Sequence, residues 1–151
     1  MTNEKINIRL MTKDDFDGIY AVWISCPGMG LNNIDDTYEG IAKFIDRNPE
    51  NSFVAEVNGK IIGGIMVGND GKRGYIYHTA ILEEYRGKGI GKALVQAAIE
   101  ALRDMGIIKV NLTSFTRNID GNAFWSRMGF RIRDDLYYRD YIIMDYETLE
   151  T

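Results

Sequence analysis

With a single cysteine, Cys26, the chain cannot build an internal disulfide, and it suits a reducing compartment. Two prolines, Pro27 and Pro49, are too few for a proline-rich linker, and the sixteen glycines fall mostly at turns rather than in a low-complexity tract. No apolar run approaches the roughly 20 residues that a membrane span needs, so no membrane partner is expected. Met1-Thr2-Asn3-Glu4-Lys5 carries no hydrophobic signal core, which predicts a cytoplasmic protein. An excess of basic charge is also missing. Eighteen Lys and Arg face twenty-two Asp and Glu, a net charge of −4 that excludes sequence-independent nucleic-acid binding. No metal site is expected. What remains is 151 residues, 45% of them hydrophobic, read as one globular domain over 1–151.

Ile6, Ile8 and Leu10 alternate with polar residues as a first strand. Thr12 caps a helix through Phe16, Ile19, Tyr20 and Trp23 to about Ser25. After a loop from Pro27 to Asn33, Asp35 or Asp36 is expected to cap a second helix carrying Tyr38, Ile41 and Ile45. Phe53–Val57 and Lys60–Val67 flank Asn58-Gly59, the preferred pair for a two-residue hairpin turn. A fourth strand is read over Tyr75–Leu82, a helix from Ala93 to Met105 and a strand over Ile107–Thr113. A short helix at Gly121–Met128 and strands at Phe130–Arg133 and Tyr141–Tyr146 follow. The predicted class is α/β, an α+β mixed sheet with helices on both faces, in the order β-α-α-β-β-β-α-β-α-β-β.

Between the fourth strand and its helix lies Arg86-Gly87-Lys88-Gly89-Ile90-Gly91-Lys92. Glycines let backbone N–H groups approach an anion, and the helix that follows adds its positive end. Ala93 follows Gly91-Lys92, so the loop lacks the hydroxyl of a Walker loop; its strand is the fourth, so it lacks the Rossmann setting.

In this context Arg86-x-x-Gly89-x-Gly91 resembles the acetyl-CoA signature of the GNAT superfamily of N-acetyltransferases. The stretch from Asn118 through Ala123-Phe124-Trp125-Ser126-Arg127-Met128-Gly129-Phe130 is similar to a second block of that family. The resemblance spans essentially the whole chain and implies a GNAT-like fold with acetyl-CoA as cofactor. It implies that Thr79, Ala80 and Ile81 pair with the pantetheine arm like an added strand. It also implies that Gly87, Lys88, Gly89, Ile90, Gly91 and Lys92 hold the pyrophosphate, with Arg86 and Lys88 adding charge. Asn118 would bond the pantetheine near the thioester, and Phe124 and Trp125 would line its thiol end.

The pattern departs from the family at two positions. Trp125 stands where a tyrosine commonly protonates the leaving thiolate, and Thr113 where a glutamate often serves as base. Tyr77, with the strand parity of Ile81, and Tyr138, in a cluster with Tyr137 and Tyr141, are the candidate catalytic groups. His78, the only histidine, is read as packed or hydrogen-bonded, with Tyr77 and Thr79 pointing the other way. Asn32, Asp35 and Asp36 mark the acceptor region, where acidic groups would attract a cationic amine. The expected activity is transfer of an acetyl group to a primary amine of a small molecule or peptide, by a monomer or homodimer. The alternative is a non-catalytic domain that binds or senses acyl-CoA.

Overall fold

The computed structural model describes residues 5–149; the leader reading of residues 1–4 and the two ends of the 1–151 domain lie outside the described residues. β1 (Ile6–Leu10) leads through a 3-10 turn at Lys13–Asp15 into α1 (Phe16–Ser25), and α2 (Tyr38–Arg47) follows. The hairpin of β2 (Phe53–Val57) and β3 (Lys60–Asn69) turns at Asn58 and Gly59, both with positive φ (50° and 79°), as a type I′ turn demands. β4 (Gly74–Ile81), α3 (Ile90–Asp104), β5 (Val110–Leu112) and α4 (Ile119–Arg127) complete the order.

The five strands form one sheet in the order β1-β2-β3-β4-β5, antiparallel except for the parallel β4–β5 pair. Alternate side chains of the strands feed two cores. Ile19, Trp23, Ile41, Val54 and Met66 fill the side covered by α1 and α2. Ile62, Ile65, Leu94, Val95 and Leu102 fill the side covered by α3. Helices therefore lie on both faces of a mixed sheet.

Three expectations are corrected. The second helix is capped by Thr37, whose hydroxyl accepts the Gly40 N–H at 3.1 Å, not by Asp35 or Asp36. Both aspartates are engaged elsewhere: Asn32 Nδ2 donates to Asp35, and the Asn32 N–H donates to Asp36. The strand expected over Ile107–Thr113 is only Val110–Leu112. The two C-terminal strands, Phe130–Arg133 and Tyr141–Tyr146, are not formed. Their apolar alternation favours a strand, but a strand exists only where its backbone finds a ladder partner. Ile132, Tyr141 and Ile143 accordingly stay 85%, 89% and 89% exposed. This segment returns to the body at Thr148, which bridges to Asn32.

Beside β1, Arg9 grips Asp15 with two hydrogen bonds of 2.9 and 2.8 Å and reaches Glu56 at 3.2 Å. Burial alone would raise the Asp15 pKa, but Arg9 and the Thr12 N–H hold it below the usual carboxylate value. A depressed native pKa contributes stability above the unfolded value of about 3.9, lost as pH falls through the native one. Arg9→Met is expected to cost about 2–3 kcal/mol at pH 7, less than for a fully buried pair because Arg9 is 35% exposed. Urea unfolding at pH 7 and pH 3 should show the gap between wild type and variant narrowing in acid. An equal gap at both would refute the assignment.

Candidate active site

α3 starts behind Gly89, which sits at its N-cap with φ 81° and no side chain to satisfy the first turn. The first helical bond runs from the Ala93 N–H to the Gly89 carbonyl at 3.1 Å. The N–H groups of Ile90, Gly91 and Lys92 therefore have no intrahelical acceptor. Gly87 also has positive φ (76°), and a Cβ at either glycine would meet nothing within 4 Å. Free donors at the positive end of a 15-residue helix thus face open space, the arrangement that binds a phosphate. Gly91 serves packing instead: a Cβ there would stand 3.1 Å from Phe124 and 3.3 Å from Ile81, where α3, α4 and β4 converge.

Arg86 turns back toward the sheet. Its Nε donates to the Ile81 carbonyl at 3.0 Å and its Nη2 to Cys26 Sγ at 3.3 Å, joining the end of β4 to the end of α1. Lys88 stays on the loop, with Nζ 5.4 Å from the Tyr85 ring centre.

β4 pairs with β5 only over Gly74–Ile76; from Tyr77 to Ile81 that edge is open. The Leu82 N–H bonds the Ile62 carbonyl on β3. By alternation, Thr79 and Ile81 turn their main-chain groups to the open edge, where the Ile81 carbonyl already accepts from Arg86 Nε and the Ile81 N–H stays available. An extended ligand could therefore pair with β4 as a strand would, with its anion at the start of α3. Among the described residues Thr79 Oγ1 is buried without a hydrogen-bond partner, on the face of β4 it shares with Ile81. An open edge that leads to a helix N-terminus fits a pantetheine arm and its pyrophosphate.

A bulge interrupts β4. Ile65 pairs with Thr79 and Val67 with Ile76, so Tyr77 and His78 together oppose Met66. The extra residue breaks strand parity and leaves main-chain groups outside the β3 ladder. This corrects the expected orientation of Tyr77. It does not share the side of Ile81, which packs with the α3 core; its ring meets Phe44 of α2 at 5.5 Å and Tyr75 at 4.7 Å. His78 lies on the same side, its ring 4.8 Å from Trp23 of α1. The bulge brings both onto the side of the α1–α2 loop.

That loop is self-bonded. Asn32 Oδ1 accepts the N–H groups of Ile34 and Asp35, and the Asn32 N–H donates to Asp36 at 2.8 Å. Asp36 is buried, and its other oxygen is 2.7 Å from His78 Nε2. Sequence reasoning placed Asp36 in the acceptor region and missed this partner. The one available signal was two aspartates before a threonine that caps by itself, which leaves a carboxylate spare. Burial raises the Tyr77 phenol above its ordinary value, and Tyr75, Asp35 and Tyr138 add to the effect, so it stays neutral at pH 7. Tyr138 itself is largely exposed.

On α4, Asn118 caps the helix: its Oδ1 accepts the Gly121 N–H at 3.1 Å, leaving Nδ2 to bond elsewhere. Phe124 and Trp125 stand 5.0 Å apart, and Trp125 packs edge-on against Phe130, also at 5.0 Å. Thr113, just beyond β5, bonds the Tyr75 hydroxyl at 2.9 Å.

A sequence model of the Acetyltransferase (GNAT) family matches residues 16–130. An acetyltransferase of Yersinia pestis is 30% identical over 142 residues, 94% of this chain and 99% of that one. An acetyltransferase of Pectobacterium atrosepticum is 34% identical over 107 residues, 71% of this chain and 74% of its own length. Among solved structures, the PaiA N-acetyltransferase of Thermoplasma acidophilum in complex with coenzyme A superposes with a TM-score of 0.77. It is 21% identical, with 86% of this chain and 92% of that one covered.

Proposed function

This chain belongs to the GNAT acetyltransferase family, and from that premise we propose that it acetylates the primary amine of a small molecule or peptide in the cytoplasm, with residues 1–151 as one catalytic domain. Acetyl-CoA is its acetyl donor. The observation that carries the reading is the continuity of the open β4 edge. It runs from the helix N-terminus of α3 to a bulge beside an acidic loop, so donor and cationic acceptor would meet at Tyr77 and His78.

In this reading the N–H groups of Gly87–Lys92 hold the pyrophosphate, and the main chain of Thr79, Ala80 and Ile81 aligns the pantetheine. Asn118 Nδ2 bonds that arm near its thioester. Arg86 acts mainly as the brace that fixes Ile81. Phe124 and Trp125 wall the thiol end. Main-chain donors freed by the bulge stabilise developing charge on the acetyl oxygen. Bound acetyl-CoA supplies an acyl carbon whose thiol leaving group has a pKa of about 8.5, so departure near neutrality needs little acid help. In this reading Tyr77 and Tyr138 are the phenols that give that help. Asp35, whose charge helps to raise the Tyr77 phenol, draws an ammonium group.

Turnover of acetyl-CoA against a panel of primary alkylamines, polyamines, aminosugars and lysine peptides, read as free thiol, tests the assignment. Thiol release with at least one class is expected; tight CoA binding with silence across the panel would overturn it. Trp125→Tyr is expected to raise kcat about tenfold with the best amine, since it puts a phenol where the indole N–H is no useful acid. An unchanged kcat would show that leaving-group protonation does not limit the rate.

A further inference from the structure

Resting on the reading just given, we infer that His78 is the proton acceptor for the incoming amine and that Asp36 is the positioning residue that holds its imidazole. Asp36 contributes a buried carboxylate, 2% exposed, with one oxygen on His78 Nε2 at 2.7 Å and the other on the Asn32 N–H at 2.8 Å. Ionised, the carboxylate only accepts hydrogen bonds, so in the neutral imidazole the proton sits on Nε2. The lone pair then belongs to Nδ1. Among the described residues nothing bonds Nδ1. Among the described residues the buried side-chain nitrogens and oxygens without partners are Trp23 Nε1 and Thr79 Oγ1, so Nδ1 is not shut off from solvent, and the side chain stays 15% exposed. Trp23 meets the ring at 68° and fixes its plane.

Position gives this pair its use. A ligand anchored at the start of α3 and running along Ile81, Ala80 and Thr79 brings its reacting end to the next residues of β4, which are the bulge. The same bulge turns His78 toward the α1–α2 loop. The imidazole therefore stands between the donor's reacting end and the wall that admits the acceptor. Of the groups that titrate or carry charge, Asp36 touches the ring; Tyr77 lies beside it on the bulge and stays neutral, and α1 presents the uncharged Trp23.

The chemistry balances as follows. An ammonium group gives one proton to Nδ1 and becomes the free amine, whose lone pair forms the new N–C bond as the C–S bond breaks. The second nitrogen proton neutralises the departing thiolate. The imidazolium, held by Asp36, returns its proton to solvent.

Because the chain has one histidine, its two imidazole nitrogens give one pair of ¹⁵N signals without assignment. In the CoA-bound wild type, the neutral ring is expected as the Nε2–H tautomer, and Asp36→Asn should mix the tautomers. An Nδ1–H tautomer in the wild type would overturn the inference without any turnover measurement. With the best amine of the panel, His78→Gln should lower kcat/KM by roughly 10²–10⁴ and remove the acidic limb of its pH profile. CoA affinity should stay within about twofold, as calorimetry would show, for a side chain aimed at the acceptor. Asp36→Asn should lose about tenfold and keep the limb. If His78→Gln fails to bind CoA, Asp36→Asn decides: wild-type kcat/KM with an unmixed tautomer overturns the inference. A wild type that binds CoA and acetylates no amine brings down the preceding proposal and this one together. An active wild type with an unchanged limb in His78→Gln brings down this one alone.

Discussion

Gly89→Val is expected to raise the dissociation constant for CoA about 100-fold while leaving the fold intact. The reason is local. Gly89 holds φ at 81° so that the first turn of α3 presents its N–H groups outward, and a β-branched residue resists that backbone by about 1–2 kcal/mol. The strain is relieved by rotating the peptide units that aim the donors. Two misplaced hydrogen bonds to a charged phosphate, at roughly 1.5–3 kcal/mol each, exceed the 2.7 kcal/mol that a 100-fold change represents. A Cβ at this position meets no atom within 4 Å, so the substitution points into open space. Gly71→Val is the matched control: its φ is 88° in equally open space, but in the β3–β4 turn rather than the loop before α3. It should lose similar stability with no change in CoA affinity. Calorimetry on both proteins settles the matter, and a Gly89→Val constant within threefold of wild type would remove the pyrophosphate from this loop.

Trp23→Ala carries the largest expected loss of stability. The indole is fully buried between α1 and the sheet, in edge contact with Tyr20 and His78. Truncating a buried tryptophan costs about 3–5 kcal/mol against a typical total of about 5–15. For a domain of this length that is a fall in Tm of roughly 10 °C. Trp23→Phe should behave differently. Among the described residues Trp23 Nε1 has no partner, and a buried donor left so costs about 1–3 kcal/mol. Phenylalanine removes that donor and gives up part of the ring volume, so the two effects nearly offset. Urea unfolding should place Trp23→Phe within about 1 kcal/mol of wild type and Trp23→Ala several kcal/mol below it. A Trp23→Ala loss under 1 kcal/mol would mean the layer repacks around the gap.

The sequence made legible whatever depends on neighbours along the chain. Asn58-Gly59 set the hairpin because both residues accept positive φ. The glycines at 87 and 89 before an amphipathic helix marked a positive-φ turn and a helix start without a side-chain cap, because backbone conformation and dipole are local properties. What escaped depends on partners far away. The bulge at Tyr77–His78 has no local signature: it is set by register against β3, and one extra residue reversed the expected orientation of Tyr77. The Asp36–His78 bond spans 42 positions. Period-2 patterning at Phe130–Arg133 and Tyr141–Tyr146 reported strand propensity correctly, but propensity cannot supply the neighbouring backbone a strand requires.

The grip of the chain's last described residues on the α1–α2 loop bears on how the protein is made. The Asn33 N–H donates to the Glu147 carbonyl, the Leu31 carbonyl accepts the Leu149 N–H, and the Glu147 N–H donates to Asn33 Oδ1 across 114 positions. During synthesis at about 5–20 residues per second, the sheet from β1 to β4 is available several seconds before those partners emerge. The α1–α2 loop therefore gains these bonds late in biogenesis. A nascent chain can pair β1 to β4 first and fix the α1–α2 loop last.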